Sequence, residues 1–286
     1  MKRFSSSFRI KVEAVCIPYN KPSDLEVERM SFFKKMLASV GVGAAKVNTE
    51  LHTPEVTPGG IISGVVYIEG GDVEQNVDRI YLSIKTHYIR ERDDRKVKET
   101  AVIAKYLLTE GFTLQPGAKL EKDFSFDLPE NLPITLHRAE VWVETGLDIS
   151  SAVDPSDRDR LHVVPSKDMN TVLDAIDILG FKLREVTNDY APKLGGNLPF
   201  VQEFEFVPTN KFRGHLDELE VMFYPMGDSL ELLLQIDRRA RGLSGMFSEA
   251  MGTDESFVRL HLYERHLERG AHSVAQGLEE VISKHI

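Results

Sequence analysis

The chain has 286 residues and a formal net charge of -10, with 42% hydrophobic and 28% charged residues. This length points to two domains, and the composition excludes a disordered tail or a fibre. Residues 151–286 carry 15 Lys and Arg against 23 Asp and Glu, which excludes duplex nucleic acid as the main ligand because counterion release needs a basic surface.

A single cysteine, Cys16, rules out an intrachain disulfide and fits a reducing cytoplasm. No apolar run reaches the roughly 20 residues that cross a bilayer. Residues 1–10 carry Lys2, Arg3 and Arg9 but lead into no apolar block, so they make a poor signal peptide. Residues 1–29 read as a poorly ordered extension, with Met30 as the expected physiological start. From Ser31, the spacing of Phe32, Phe33, Met36, Leu37 and Val40 predicts a short amphipathic helix ending near Gly41.

From about Ala45 the period changes to two. Residues 79–88 place Ile80, Leu82, Ile84 and Tyr88 on one face of a strand and Arg79, Ser83, Lys85 and His87 on the other. Phe124, Phe126 and Leu128 alternate with Asp123, Ser125 and Asp127. Val141, Val143 and Leu147 alternate with Trp142, Glu144 and Asp148, which predicts Trp142 on the solvent side. Turn residues stand at Pro58-Gly59-Gly60, Gly70-Gly71, Arg92-Asp93-Asp94 and Pro116-Gly117. Short strands with regular turns and no long helix between them indicate an antiparallel sandwich over residues 30–152.

The polar, aperiodic stretch around 153–160 is the expected linker, with a second sandwich over 161–286. There Ser166 is placed to cap a helix carrying Met169, Val172, Leu173 and Ile176 on one face, and Gly180 to end it. Residues 200–207, 216–224 and 230–237 alternate as strands, with Pro225-Met226-Gly227-Asp228 joining the last two. A last strand is expected at 257–262, then a C-terminal helix whose apolar face is Val274, Leu278, Val281 and Ile282.

Chemistry is hard to find in this pattern. Gly41-Val42-Gly43 continues without the order that a phosphate loop or dinucleotide fingerprint needs. His261 and His266 stand five apart and do not share a helix face as a zinc-binding i, i+4 pair does. No Gly-x-Ser-x-Gly elbow is present. Asp217-Glu218 and Glu279-Glu280 are adjacent and therefore point to different faces. No catalytic residue, metal site or cofactor is expected. The alternative is a metal-dependent hydrolase in which His and acidic residues of the second domain converge.

The sharper polar features are Lys211-Phe212-Arg213-Gly214 and Arg238-Arg239-Ala240-Arg241, each beside an apolar strand. Phe212, Arg213, Arg238, Arg239 and Arg241 are candidate partner contacts, since forked guanidinium donors recognise carboxylates or phosphates. Ion pairing within the chain, to Asp217 or Asp237, is the competing account.

The phrase from Pro58 through Ile68 and the phrase Phe124-Ser125-Phe126-Asp127-Leu128-Pro129-Glu130-Asn131-Leu132-Pro133 resemble the first sandwich of arrestin-like proteins. Phe212-Arg213-Gly214 with Leu216-Asp217-Glu218-Leu219-Glu220, Phe223-Tyr224-Pro225, Asp237-Arg238-Arg239-Ala240-Arg241-Gly242 and the opening Met30-Ser31-Phe32-Phe33-Lys34-Lys35 resemble the bacterial sporulation-control protein M family. The resemblance covers residues 30–286. It implies two arrestin-like sandwiches, no catalysis, and control of sporulation or of a related developmental, stress or cell-division programme.

The expected protein is thus a cytoplasmic adaptor whose strand edges or interdomain groove engage a regulatory, cytoskeletal or cell-division protein, with homodimerisation open to the same edges. Nucleic acid and stable membrane insertion are not expected. A lipid-binding module using Phe32, Phe33, Met36 and Leu37 ranks below packing of that helix on a sandwich.

Overall fold

The computed structural model describes residues 45–71, 74–149, 154–237 and 257–286. The extension, the helix expected from Ser31 and the Arg238, Arg239 and Arg241 cluster lie outside the described residues. The first half contains β1 (Lys46–Leu51), β2 (Glu55–Val56), β3 (Ile61–Glu69), β4 (Gln75–Arg92), β5 (Arg95–Leu114), β6 (Lys119–Asp127), β7 (Val141–Ile149) and β8 (Ser156–Val163). Helix α1 (Lys167–Ile178) follows. Then come β9 (Phe181–Tyr190), β10 (Phe200–Pro208), β11 (Glu218–Pro225), β12 (Ser229–Asp237), β13 (Phe257–Tyr263), α2 (Glu264–Leu267) and α3 (Ala271–Ser283).

In the first half the sheet β1-β3-β6 packs on a sheet in which β4 stands between β5 and β7, with β8 outside β7. Period-two burial drives this: Ile62, Val66, Ile68, Phe124 and Phe126 are buried, as are Ile80, Leu82, Ile84, Val143 and Leu147. Tyr106 of β5 stacks on Phe126 of β6 at 4.7 Å and donates its hydroxyl to the Asp127 carbonyl at 2.7 Å. The β4–β5 hairpin turns at Asp93 and Asp94, with φ of 49° and 58°, the left-handed pair that a two-residue connection requires.

The second half is one antiparallel sheet, β9-β10-β11-β12-β13, with α1 and α3 in the same core. Ser166 Oγ accepts from the Met169 N–H at 3.3 Å, and Gly180, at φ 81°, closes the C-terminal end of α1. The apolar faces of α1 and α3 are buried as their spacing predicts, with Val172, Ile176, Leu278 and Ile282 at 0% exposure. The whole chain is mainly β, and the sheets of its two halves join where β4 meets β9 at Ile89↔Asp189.

Two expectations are corrected. Residues 156–160, expected as linker, belong to β8, which pairs with β7 from Val141↔Leu161 to Gly146↔Ser156. Their inward positions hold Asp157 and Asp159, so polar composition masked a strand. Trp142, expected in solvent, is 3% exposed, because Arg158 of β8 lies over its ring at 3.9 Å and His87 of β4 packs at 4.6 Å.

Those two aspartates also set a pH response. Asp157 Oδ2 accepts the Thr49 N–H at 2.6 Å and so caps the exposed edge of β1. Asp159 beside it is pushed up to about 6, by burial first and then by the charge and hydrogen bonding of Asp157. Its folded-state value lies above its unfolded one, so the native state holds the proton longer. Asp159 therefore withdraws stability as pH rises from about 4 to 6. Because the group is substantially solvated, no more than about 1 kcal/mol is at stake. Asp159→Asn should raise the urea midpoint at pH 7 and flatten its fall between pH 4 and 6; an unchanged pH slope contradicts this assignment.

Candidate functional site: the groove at the junction of the two halves

The junction is built from β4, β9 and β10 and the loop after β6. Tyr88 stacks on Tyr190 at 6.1 Å and on Phe200 at 5.8 Å, while the Arg90 guanidinium lies 4.0 Å from the Tyr190 ring centre. The Tyr88 hydroxyl donates to Glu99 Oε2 at 2.5 Å, and Arg92 pairs with Glu99 at 2.9 Å. Burial, and then the hydrogen bond to Glu99, push the Tyr88 phenol up to about 12.

Behind these rings runs a polar chain. Gln202 accepts the Ile134 N–H at 2.8 Å and donates to the Ile134 carbonyl at 2.9 Å. It also donates to Asn188 Oδ1 at 3.2 Å. Asn188 in turn donates to Thr86 Oγ1 and to the His87 carbonyl, each at 3.0 Å. Arg138 pairs with Glu185 at 2.9 Å, and Asn131 donates to Asn197 at 2.8 Å.

Between the loop after β6 and the outer ends of β10 and β11 lies a cavity of about 180 Å³. Leu132, Leu194, Leu198 and Met222 give it apolar walls, and the exposed residues on its lining are Glu130, Asn131 and Gly196. It exists because β10 and β11 separate: their ladder is Phe206↔Leu219, Glu205↔Glu220 and Phe204↔Val221, and stops there. The Tyr224 hydroxyl on its wall is buried with no hydrogen-bond partner among the described residues, and burial pushes it up to about 12. The lining has donors and acceptors but no Ser, Thr, Cys or His. Its described lining therefore offers hydrogen-bonding groups among apolar walls, with Glu130 as its carboxylate and Tyr224 as its phenol.

Next to the groove, the other face of the second sheet carries buried carboxylates. Arg184 pairs with Glu218 at 2.5 Å and with Glu205. Glu231 is paired with Arg259, and with His261 at 3.0 Å. Burial first, and then the charges of Glu220, Asp189 and Glu218, raise Glu203 well above the ordinary carboxylate range.

His266 accepts the Tyr263 N–H at 3.2 Å, so it and His261 serve different neighbours. Among the described residues no group of three or more His, Cys, Asp or Glu side chains could hold a metal ion.

The candidates from the sequence separate. Phe212, expected as a partner contact, is 2% exposed and stacks on Phe181 at 5.3 Å. Lys211 beside it pairs with Glu279 of α3 rather than with Asp217. Arg213 is exposed, and Arg238, Arg239 and Arg241 lie outside the described residues. Gln202, Asn188 and Glu203 were not singled out, because an amide or an acid on an alternating strand reads as a solvated position.

With this geometry in place, the class is that of a mainly β, arrestin-like protein. The family model described as SpoOM protein matches residues 33–240, and the chain belongs to that family. The sporulation-control protein spo0M of Bacillus subtilis (strain 168) is 42% identical over 257 residues, 90% of this chain and 99% of the relative. The crystal structure of Spo0M from Bacillus subtilis superposes with a TM-score of 0.81 at 39% identity, covering 86% of this chain and 100% of that chain.

Burial assigns opposite roles to neighbours in the Phe212 segment. Phe212→Ala should lower unfolding free energy by about 3–5 kcal/mol, while Arg213→Ala should change it by less than about 0.5 kcal/mol. Urea denaturation of both variants checks this, and a mild Phe212→Ala would return that ring to the list of surface contacts.

Proposed function

We propose that this chain is a non-enzymatic regulatory adaptor of the cytoplasm. It controls sporulation or a related developmental, stress or cell-division programme by binding regulatory or cytoskeletal proteins. The regulatory part draws on the relative whose name states sporulation control. The adaptor part draws on one observation above all, the junction groove, whose described lining has apolar walls and hydrogen-bonding groups but no Ser, Thr, Cys or His. Among the described residues no helix is long and apolar enough to cross a membrane.

Free strand edges add a second means of contact. Among the described residues β13 ends the long sheet on one side and β5 pairs only with β4, so each offers a main-chain row to a partner or to another copy of the chain.

Affinity capture of the full chain from native extract in mild salt, followed by mass spectrometry, tests this reading. We expect a regulatory or cytoskeletal protein to be enriched over a Gln202→Ala control, whose junction lacks its tie to Ile134. Recovery of the bait alone in repeated captures contradicts the adaptor reading.

A further inference from the structure

We propose that the gap between β10 and β11 is a strand-addition site for an extended peptide segment of a partner protein. The segment seats one large apolar side chain in the cavity and carries Lys or Arg beside it. This rests on the adaptor reading for the class of ligand and adds the mode of binding.

The main chain specifies an extended peptide. Phe200 stands opposite Tyr190 in the β9–β10 ladder, and the Ala191 N–H donates to the Pro199 carbonyl at 3.0 Å. Antiparallel alternation then turns the N–H and C=O groups of the odd-numbered residues at this end of β10 toward β9, and those of Phe200, Gln202 and Phe204 toward β11. Phe204 meets Val221. Continued at the same register, Gln202 would meet Phe223 and Phe200 would meet Pro225, but neither pair forms. Among the described residues two rows of main-chain groups thus face one gap inside a sheet, where buried polar groups need partners. Another strand completes both.

The cavity specifies the anchor. Its volume of about 180 Å³ slightly exceeds the ~150 Å³ of an apolar cavity that takes benzene. One Leu, Met or Phe side chain fits against Leu132, Leu194 and Met222. Charge specifies the flank: Glu130 is an exposed carboxylate on the lining, and the chain carries a net charge of -10. A cationic neighbour of the anchor is attracted and an acidic one repelled.

Two measurements on the full chain test the proposal. In the free protein, hydrogen exchange followed by NMR should show the amides of Gln202 and Phe223 exchanging at least about tenfold faster than those of Phe204 and Val221. Equal protection means the gap is closed and overturns the proposal.

A phage library of random 12-residue peptides is then selected on the protein, and the best peptide is synthesised as the probe. We expect an apolar residue flanked by Lys or Arg, and protection of the Gln202 and Phe223 amides on binding. N-methylation at any peptide position seated between β10 and β11 should weaken binding about tenfold, because successive N–H groups face the two strands in turn, with about twofold or less at positions beyond the gap. Glu130→Lys should weaken it about threefold or more. Failure to enrich any peptide, no protection at those two amides, or an effect of about twofold or less from N-methylation at every position each overturns the proposal. So does a dimer that the peptide dissociates, which places a second copy in the gap. A captured partner that stays bound when the peptide saturates the gap refutes strand addition and leaves the adaptor reading intact. Peptide binding as described, with no partner in extract, does the reverse.

Discussion

The two hydrogen bonds between the Gln202 side chain and the main chain of Ile134 fix the relation between the halves of this molecule. Ile134 is 1% exposed and lies in an irregular stretch between β6 and β7, so its N–H and C=O have no ladder to join. Leaving such a buried pair unmet costs about 1–3 kcal/mol per group. A carboxamide is the side chain that presents one donor and one acceptor in the arrangement of a peptide unit. Gln202 therefore takes the place of a strand at that point, and Asn188 extends the chain of bonds to Thr86 of β4. The main-chain contact between the halves, Ile89↔Asp189, would be a weak hinge by itself. With the amide chain and the stacked Tyr88, Tyr190 and Phe200 rings, it becomes a registered joint.

The buried carboxylates beside that joint act differently. Removing a charge from water costs several kcal/mol unless it is paired, and buried ion pairs seldom repay the whole cost. Arg184 shared by Glu205 and Glu218, and Arg259 with His261 around Glu231, offset the cost for three of the acids. Glu203 is held by burial and neighbouring negative charge in a state that favours the proton. Such an arrangement adds little to stability over an apolar face.

Much of the fold was legible because period-two burial needs only the pattern of residues. Ile80, Leu82 and Ile84, then Phe124 and Phe126, alternate cleanly and are buried. Legibility failed where the pattern slips. The β4–β5 ladder shifts register between Ile84 and Lys85, so that Ile103 and Ala104 of β5 are both buried. A shift opposite Glu205 and Phe206 breaks β9 in the same way. A bulge inserts one residue and reverses every side chain beyond it, and nothing in the composition marks its place. Ser156–Val163 was hidden for another reason, because its inward Asp157 answers to Thr49 on a different sheet. The groove was not legible at all. It follows from where a ladder stops pairing, and strand propensity in 200–207 and 216–224 is high on both sides of that point.

The joint and the gap share a residue, and this links the fold to its use. The side chain of Gln202 is committed to Ile134 in the first half, while its own N–H and C=O face the space that β11 leaves. A strand bonded to that main chain would pull on the same residue whose side chain sets the spacing of the halves. Polar groups in a dry environment strengthen one another along a chain of bonds, so a strand seated in the gap as proposed would be coupled to the Gln202–Asn188–Thr86 connection. The coupling needs no large motion and no catalytic group, since any ligand that prefers one spacing of the halves shifts their equilibrium by its difference in affinity.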